Sequence, residues 1–343
     1  MSQDFLLEKI DKISKQFICN VPLTHFDWQN IFDSFLTENI QEYLLNKTVN
    51  SEIVLKFPLQ ISYQKSFLKH ILTVLESETN LEEPVIHDDI YSAYGRLVAT
   101  QDTFRENYKH YLLCNENKFI TLKESNSLIS DGTTGLRTWQ ASLALSEWII
   151  QNKNVFDDKN VLELGSGVGL TGLVLKQVCS VNNIYLTDCH EAVLGTLVEN
   201  VKLNLLNNGN EDNVYYQNPY KRSQSRFVHT DNNTTIQVLN LPWEKVSSDI
   251  CEELGTIHKV IAADIIYDDF LFEPLVTTLK CLKENCSVEE FIFACTERNP
   301  VTLEKFLELI SKTFHHIQEL PVPCQSNFFW SLDTPIKIYL FKD

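Results

Sequence analysis

The feature that most limits what this chain can become is a run of three alternate glycines, Gly165, Gly167 and Gly169, set between two apolar stretches. Val161 to Leu164 has the length and apolarity of a short buried strand, and Leu170, Leu173, Val174 and Val178 recur at helical spacing over Leu170 to Val178. Strand, glycine turn and helix start together make the ligand-binding corner of a doubly wound α/β sheet. Glycine is needed there because the backbone turns sharply and a ligand comes close to it, where a Cβ would clash. The dinucleotide spacing G-x-G-x-x-G is a near miss. Counted from Gly165, its third glycine falls on Leu170; counted from Gly167 it fits through Gly169 and Gly172, but the turn then starts two residues late.

Composition narrows the setting. A chain of 343 residues with 43% apolar content can build two domains or one large one. A net charge of -17 argues against a sequence-independent nucleic-acid binder, which phosphates would repel. The same charge suits a basic protein surface as partner, and equally suits plain solubility. The nine cysteines include no C-x-x-C pair and no metal-ligand spacing, so reduced thiols and no metal are expected. The first residues lack a basic segment followed by a long apolar one, and no apolar run reaches membrane length. The expected address is the cytoplasm, with no membrane partner and no direct nucleic-acid partner, and the chain is expected to act as a monomer.

Taken in order, residues 4 to about 95 carry three apolar stripes at helical spacing: Phe5 to Phe17, Trp28 to Leu44, and Ile61 to Leu75. They imply an N-terminal helical domain over 1–95, followed by a second domain over 96–343. Tyr111 to Cys114 and Phe119 to Leu122 are strand-like. Asp131 to Trp139 holds two glycines and three threonines and reads as a loop, with Thr138 the expected N-cap of a helix from Gln140 to Gln151. Arriving just before the first core strand, this loop is placed to lie across the glycine corner. Asn183 to Thr187 is a second strand ending in Asp188, whose two oxygens either match the vicinal hydroxyls of a ribose or cap the helix that follows over 190–206. Residues 207 to 234 read as a long polar loop with Lys221, Arg222 and Arg226. Thr235 to Leu239 is a third strand leading to Trp243, which either lies against an adenine ring or joins the core.

Lys259 to Ala263 is the next strand, and Asp264-Ile265-Ile266-Tyr267 follows at its carboxyl end. Ligands of open α/β sheets bind outside that edge. Asp264 therefore either faces the space opened by the glycine corner or caps the next helix, expected over Asp269 to Glu284. Glu290 to Cys295, a helix from Val301 to Phe314, Ile317 to Leu320, Phe328 to Trp330 and Ile336 to Phe341 complete the chain, the last pieces as an antiparallel pair at a sheet edge. The fold class expected is α/β: a Rossmann-like seven-stranded sheet with a helical N-terminal domain.

The spacing Glu-x-Gly-x-Gly-x-Gly over Glu163 to Gly169 resembles motif I of the S-adenosylmethionine-dependent methyltransferases. Gly135 to Trp139, Glu163 to Gly169, Asp188, Leu241-Pro242-Trp243 and Asp264-Ile265-Ile266-Tyr267, in this order, resemble the seven-β-strand protein-lysine methyltransferases with an Asp-x-x-Tyr signature. Within that group, Thr133-Thr134-Gly135 with Trp139, Asp188-Cys189-His190 and the helical N-terminal region look like the enzymes that methylate a lysine of translation elongation factor 2. The resemblance covers about residues 90 to 343 well. It implies S-adenosyl-L-methionine as cofactor, with contacts at Trp139, Gly165, Ser166, Gly167, Asp188, Trp243 and Ala263. It also implies that Asp264 and Tyr267 receive the substrate lysine.

Such a reaction needs a neutral amine, although free lysine has a pKa near 10.4. Desolvation and a neighbouring positive charge both disfavour the ammonium. On this reading Asp264 orients the amine, Tyr267 completes a narrow channel, and most of the acceleration comes from in-line positioning. Asp264→Ala would then keep cofactor binding and lose methyl transfer. Deletion of residues 1–90 would spare cofactor binding and abolish substrate methylation. The alternatives are a methyltransferase of the same fold acting on another protein, a nucleic acid or a small molecule, a cofactor-binding scaffold without catalysis, or a dehydrogenase.

Overall fold

The computed structural model describes residues 3–26, 28, 37–77, 86–101, 106–113, 118–127, 129–130, 132–206, 214–215, 225–231 and 234–343. The chain divides into two compact units, Met1–Asn126 and Ser127–Asp343. Among the described residues the first holds five α-helices, α1 (Gln3–Ile18), α2 (Glu38–Lys47), α3 (Glu52–Lys56), α4 (Ile61–Ser77) and α5 (Asp88–Ala99), and a hairpin of β1 (Glu106–Leu113) and β2 (Lys118–Ser125). Ile10, Ile13 and Phe17 of α1 and Phe67, Leu68 and Ile71 of α4 are buried at the expected helical spacing, with the Phe17 and Phe67 rings 4.4 Å apart. Ile31, Phe32, Phe35 and Leu36 of the expected second stripe lie outside the described residues.

The division falls after β2, not near residue 95. The hairpin expected to open the second domain makes a sheet of its own in the first unit. Its buried residues Tyr111, Leu113, Ile120 and Leu122 supply part of that unit's core, and Cys19 at the end of α1 donates to the His110 carbonyl.

The second unit contains α6 (Gln140–Gln151), β3 (Asn160–Leu164), α7 (Leu170–Val178), β4 (Asn183–Asp188), α8 (Glu191–Leu205), β5 (Val214–Tyr215), β6 (Ser225–Asp231) and β7 (Thr234–Asn240). It continues with α9 (Ser248–Leu254), β8 (Lys259–Ala263), α10 (Phe272–Asn285), β9 (Glu290–Thr296), α11 (Pro300–Ile310), β10 (His316–Leu320) and β11 (Ile336–Lys342). The strands lie in the order β10-β11-β9-β8-β3-β4-β7-β6-β5. β9, β8, β3, β4 and β7 are mutually parallel, while β11 and β10 run antiparallel at one side. Those seven strands are the expected Rossmann-like sheet. Because β3 pairs with β4 on one side and β8 on the other, the order reverses at β3, and a crevice opens at its carboxyl end.

Residues alternate across the sheet with period two. Leu162, Leu164, Val260, Ala262, Phe291 and Phe293 join one cluster with Leu254 of α9, Leu275 and Leu279 of α10, and Phe306 of α11. Their neighbours in sequence, Glu163 among them, therefore face the side of α6 and α7.

Three expectations change. Part of the expected polar loop 207–234 is sheet: β6 pairs antiparallel with β7 and β5 with β6, extending the sheet to nine strands among the described residues, while Lys221 and Arg222 lie outside them. Phe328 to Trp330 forms no strand, because the carboxylate of Glu147 on α6 accepts hydrogen bonds from the backbone N–H groups of Asn327 and Phe328 at 2.8 and 3.1 Å and pins the segment there. β11 then enters between β9 and β10, so β10 alone is the edge on that side.

Candidate active site

Three glycines at the end of β3 adopt the left-handed backbone region, with φ of +63° at Gly165, +53° at Gly167 and +95° at Gly169. Side chains rarely tolerate that region. Space forbids them as well: a Cβ on Gly165 would stand 2.8 Å from Ile265 Cγ2, and one on Gly167 would stand 3.1 Å from the Gly135 carbonyl oxygen. The loop before α6 therefore does lie across the glycine turn, as its place in the sequence suggested. Ser166 stitches the turn to β4: its N–H donates to Thr187 O at 2.8 Å, and its hydroxyl accepts from Thr187 N–H at 3.0 Å. These contacts hold the Ser166 side chain in the fold rather than turning it outward.

Asp188 closes the other side. Its Oδ1 accepts from the N–H groups of Cys189 and His190 at 2.8 and 3.2 Å, and its Oδ2 accepts from Gly167 N–H at 3.3 Å. Asp188 thus sits at the glycine turn and braces Cys189 and His190 ahead of α8, but it is not the cap of that helix: His190 holds the N-cap position without a side-chain bond. Burial pushes its carboxyl above the usual range, against the pull of those three N–H donors.

A cleft of about 360 Å³ opens at this point, of the size that small-molecule cofactors fill. Trp139, Gly165, Ser166, Gly167, Asp188, Trp243, Ala263, Asp264 and Tyr267 all line it. Every residue expected to contact cofactor or substrate lysine is brought to this one cavity. Trp243 lines the cleft and also packs, partly buried, against the core cluster of α9 to α11. Tyr267 stands at the mouth, 53% exposed, its phenol raised above 10 chiefly by partial burial and then by the Asp268 charge.

Asp264 does something the sequence did not reveal. It is 8% exposed, has φ +56°, and its carboxylate is a hub. Oδ1 accepts from Thr296 N–H at 2.8 Å and Arg298 Nη1 at 3.5 Å. Oδ2 accepts from Ala141 N–H at 3.1 Å, the Thr296 hydroxyl at 2.9 Å and Arg298 Nη2 at 3.4 Å. A carboxylate has about four acceptor sites, so these contacts saturate it. Asp264 is a helix cap, but for α6 rather than for the helix that follows it. That also explains why Thr138 is not the N-cap: Trp139 holds that position without a side-chain bond, and Asp264 satisfies the free N–H of the first turn from across the sheet.

Three further residues belong to the site. Arg298 places its guanidinium 4.7 Å from the centre of the Trp139 ring while bridging to Asp264, and Arg137 lies 5.6 Å from the same ring. Trp139 Nε1 donates to Thr134 O at 3.0 Å, so the ring holds the loop from within. The only hint of Arg298 in the sequence is its place just past the carboxyl end of β9. Glu163, part of the glycine motif, lines the cleft from β3 and is 2% exposed. Burial raises its carboxyl to about 8, with the Asp188 charge adding to the effect.

The cleft fits S-adenosylmethionine. A backbone cradle that a Cβ would fill, a half-buried acid at the end of β4 and a tryptophan beside them suit an amino-acid tail, a ribose diol and an adenine. Among the described residues no helix is long and apolar enough to cross a membrane. A family model described as lysine methyltransferase matches residues 115–218 and 224–313. Protein-lysine N-methyltransferase EEF2KMT of Bos taurus is 31% identical over 323 residues, covering 92% of this chain and 91% of the relative. The Homo sapiens protein of that name is 32% identical over 312 residues, covering 87% and 85%. Protein-lysine N-methyltransferase EFM3 of Chaetomium thermophilum is 31% identical over 298 residues, covering 80% and 82%. With the family model spanning the glycine turn, Asp188 and the Asp264–Tyr267 segment, and relatives aligned through both units, the chain belongs to the lysine methyltransferase family.

Proposed function

We propose that this chain transfers methyl groups from S-adenosylmethionine to a lysine side chain of translation elongation factor 2, in the cytoplasm. The observation that carries the reading is the single cleft joining the glycine turn and Asp188 at one end to Tyr267 at its mouth. The similarity to proteins named EEF2KMT supports the substrate.

When bound, the cofactor supplies the methyl group from a positively charged sulfonium. Gly165 and Gly167 leave the space it needs, and Asp188 offers its carboxylate to the ribose hydroxyls. Trp139, held by Thr134 and Arg298, covers the cleft and excludes water. The lysine enters past Tyr267, whose phenol keeps its proton at neutral pH and whose oxygen can accept from the amine. Desolvation along that passage favours the neutral amine. Asp264 acts chiefly through its neighbours: it fixes the start of α6, and with it the Trp139 loop. The first unit docks the folded substrate.

The test is incubation of the purified chain with labelled S-adenosylmethionine and purified translation elongation factor 2, followed by mass spectrometry. Label on lysine of the factor is expected. Label confined to nucleic acid, or none on the factor, would discard the reading.

A further inference from the structure

Among the described residues of the second unit, six large apolar side chains are prominently exposed: Ile129, Tyr267, Phe270, Val301, Val322 and Leu332. Four of these are tied to the mouth of the cleft. Tyr267 lines it directly. Phe270 precedes Leu271, which lines the cleft, and follows Asp269, which pairs with Lys305 of α11 at 2.6 Å. Val301 lies one helical turn before Lys305, on the same face of α11, so Phe270 and Val301 flank one ion pair. Leu332 follows Ser331, whose N–H donates at 2.7 Å to Gln140 Oε1, beside Trp139 at the start of α6. Phe270 is 91% exposed and Leu332 84%, so neither contributes much to the core.

Behind Tyr267 a second, smaller cleft of about 60 Å³ has a floor of Ile266, Cys295 and Leu303 and a polar wall of Glu297, Arg298 and Asn299. That is room for a side chain of a few heavy atoms. Tyr267 lines both cavities. The charges at the rim are predominantly acidic. Arg298 and Lys305 already face Asp264 and Asp269, and Asp268, Glu297 and Glu304 outnumber the further cation Arg137 that lines the cleft. A cationic segment is drawn to such a rim.

We propose that this rim holds the stretch of the protein substrate flanking the target lysine, with an apolar side chain of that stretch against Phe270 and Leu332 and a small neighbour in the cleft behind Tyr267. The proposal rests on the protein-methylating reading above and adds where the substrate is gripped and by what chemistry. A lysine presented in an apolar, locally basic stretch is the preferred substrate; one flanked by acids is refused.

Phe270→Ser and Leu332→Ser in the full chain test it, because both side chains are nearly free of the fold. The readouts are cofactor binding by calorimetry and steady-state methylation of purified translation elongation factor 2. Cofactor affinity and kcat should stay within about twofold, while KM for the protein rises about tenfold in each variant, the scale of a lost apolar contact at an interface. An unchanged KM in both variants would overturn the proposal while wild-type labelling of the factor still upheld the substrate reading, so the two fail separately.

Discussion

At the scale of single residues, the site is governed by two carboxyls that do opposite things. Asp264 is fully bonded, so its removal leaves the N–H groups of Ala141 and Thr296 and the Arg298 guanidinium without their acceptor. Asp264→Ala should therefore lower stability by about 2–4 kcal/mol in urea unfolding, the sum of a lost cap and an unsatisfied buried donor. It should weaken cofactor binding as well as methyl transfer, because Trp139 loses its anchor. A carboxylate free to serve the amine alone would lose only turnover, and calorimetry with S-adenosylmethionine separates the two outcomes. Glu163 is buried and protonated instead. Its pKa of about 8 in the folded chain lies above the 4.5 it has when exposed, so between those values the folded state holds more protons than the unfolded state. Stability then falls as pH rises through that window and levels off above it. Glu163→Gln has no proton to lose, so its stability relative to wild type should climb from pH 4.5 to 8, by at most about 1.4 kcal/mol per pH unit. Urea midpoints across that range check the slope, and parallel curves for the two proteins would contradict it.

At the scale of elements, the turn after β3 and the loop before α6 act as one device. The Gly135 carbonyl approaches the Gly167 backbone so closely that Gly167→Ala combines an unfavourable φ with a 3.1 Å contact. About 1–2 kcal/mol of strain there should appear as roughly a tenfold weaker cofactor affinity, with β3 and α7 intact by circular dichroism. α6 and α7 run over the residues that apolar spacing assigns to them, because each buries a stripe that the local sequence displays. β6 was not legible in this way. It has Phe227 and His229 as its buried residues amid polar neighbours, and its reason for being a strand is β7 beside it. The Asp264 network was hidden for the same reason. Its partners stand 123, 32 and 34 positions away, so the glycine motif and Asp-x-x-Tyr marked the place without disclosing which way the carboxylate faces.

At the scale of the whole molecule, the two units set where the chain can be cut. Removal of residues 1–90 would take α1 to α4 and leave most of α5 and the β1–β2 hairpin. Ala93, Leu97, Tyr111, Leu113, Ile120 and Leu122 would then lose a core to enter. Exposed apolar surface of that kind promotes association, so the fragment 91–343 should aggregate for reasons unrelated to substrate docking. A cut between Asn126 and Ser127 removes the hairpin with the helices it packs on, and leaves the nine-stranded sheet with its own core. Residues 127–343 should be monodisperse in light scattering and bind S-adenosylmethionine within about twofold of the full chain, since every cleft residue lies beyond the cut. If the first unit docks the folded substrate, the same fragment should lose methylation of translation elongation factor 2 by at least about a hundredfold in kcat/KM, the effect of removing a whole binding surface. Full activity in a soluble, cofactor-binding fragment would assign substrate recognition to the second unit alone, and with it to the rim around Tyr267.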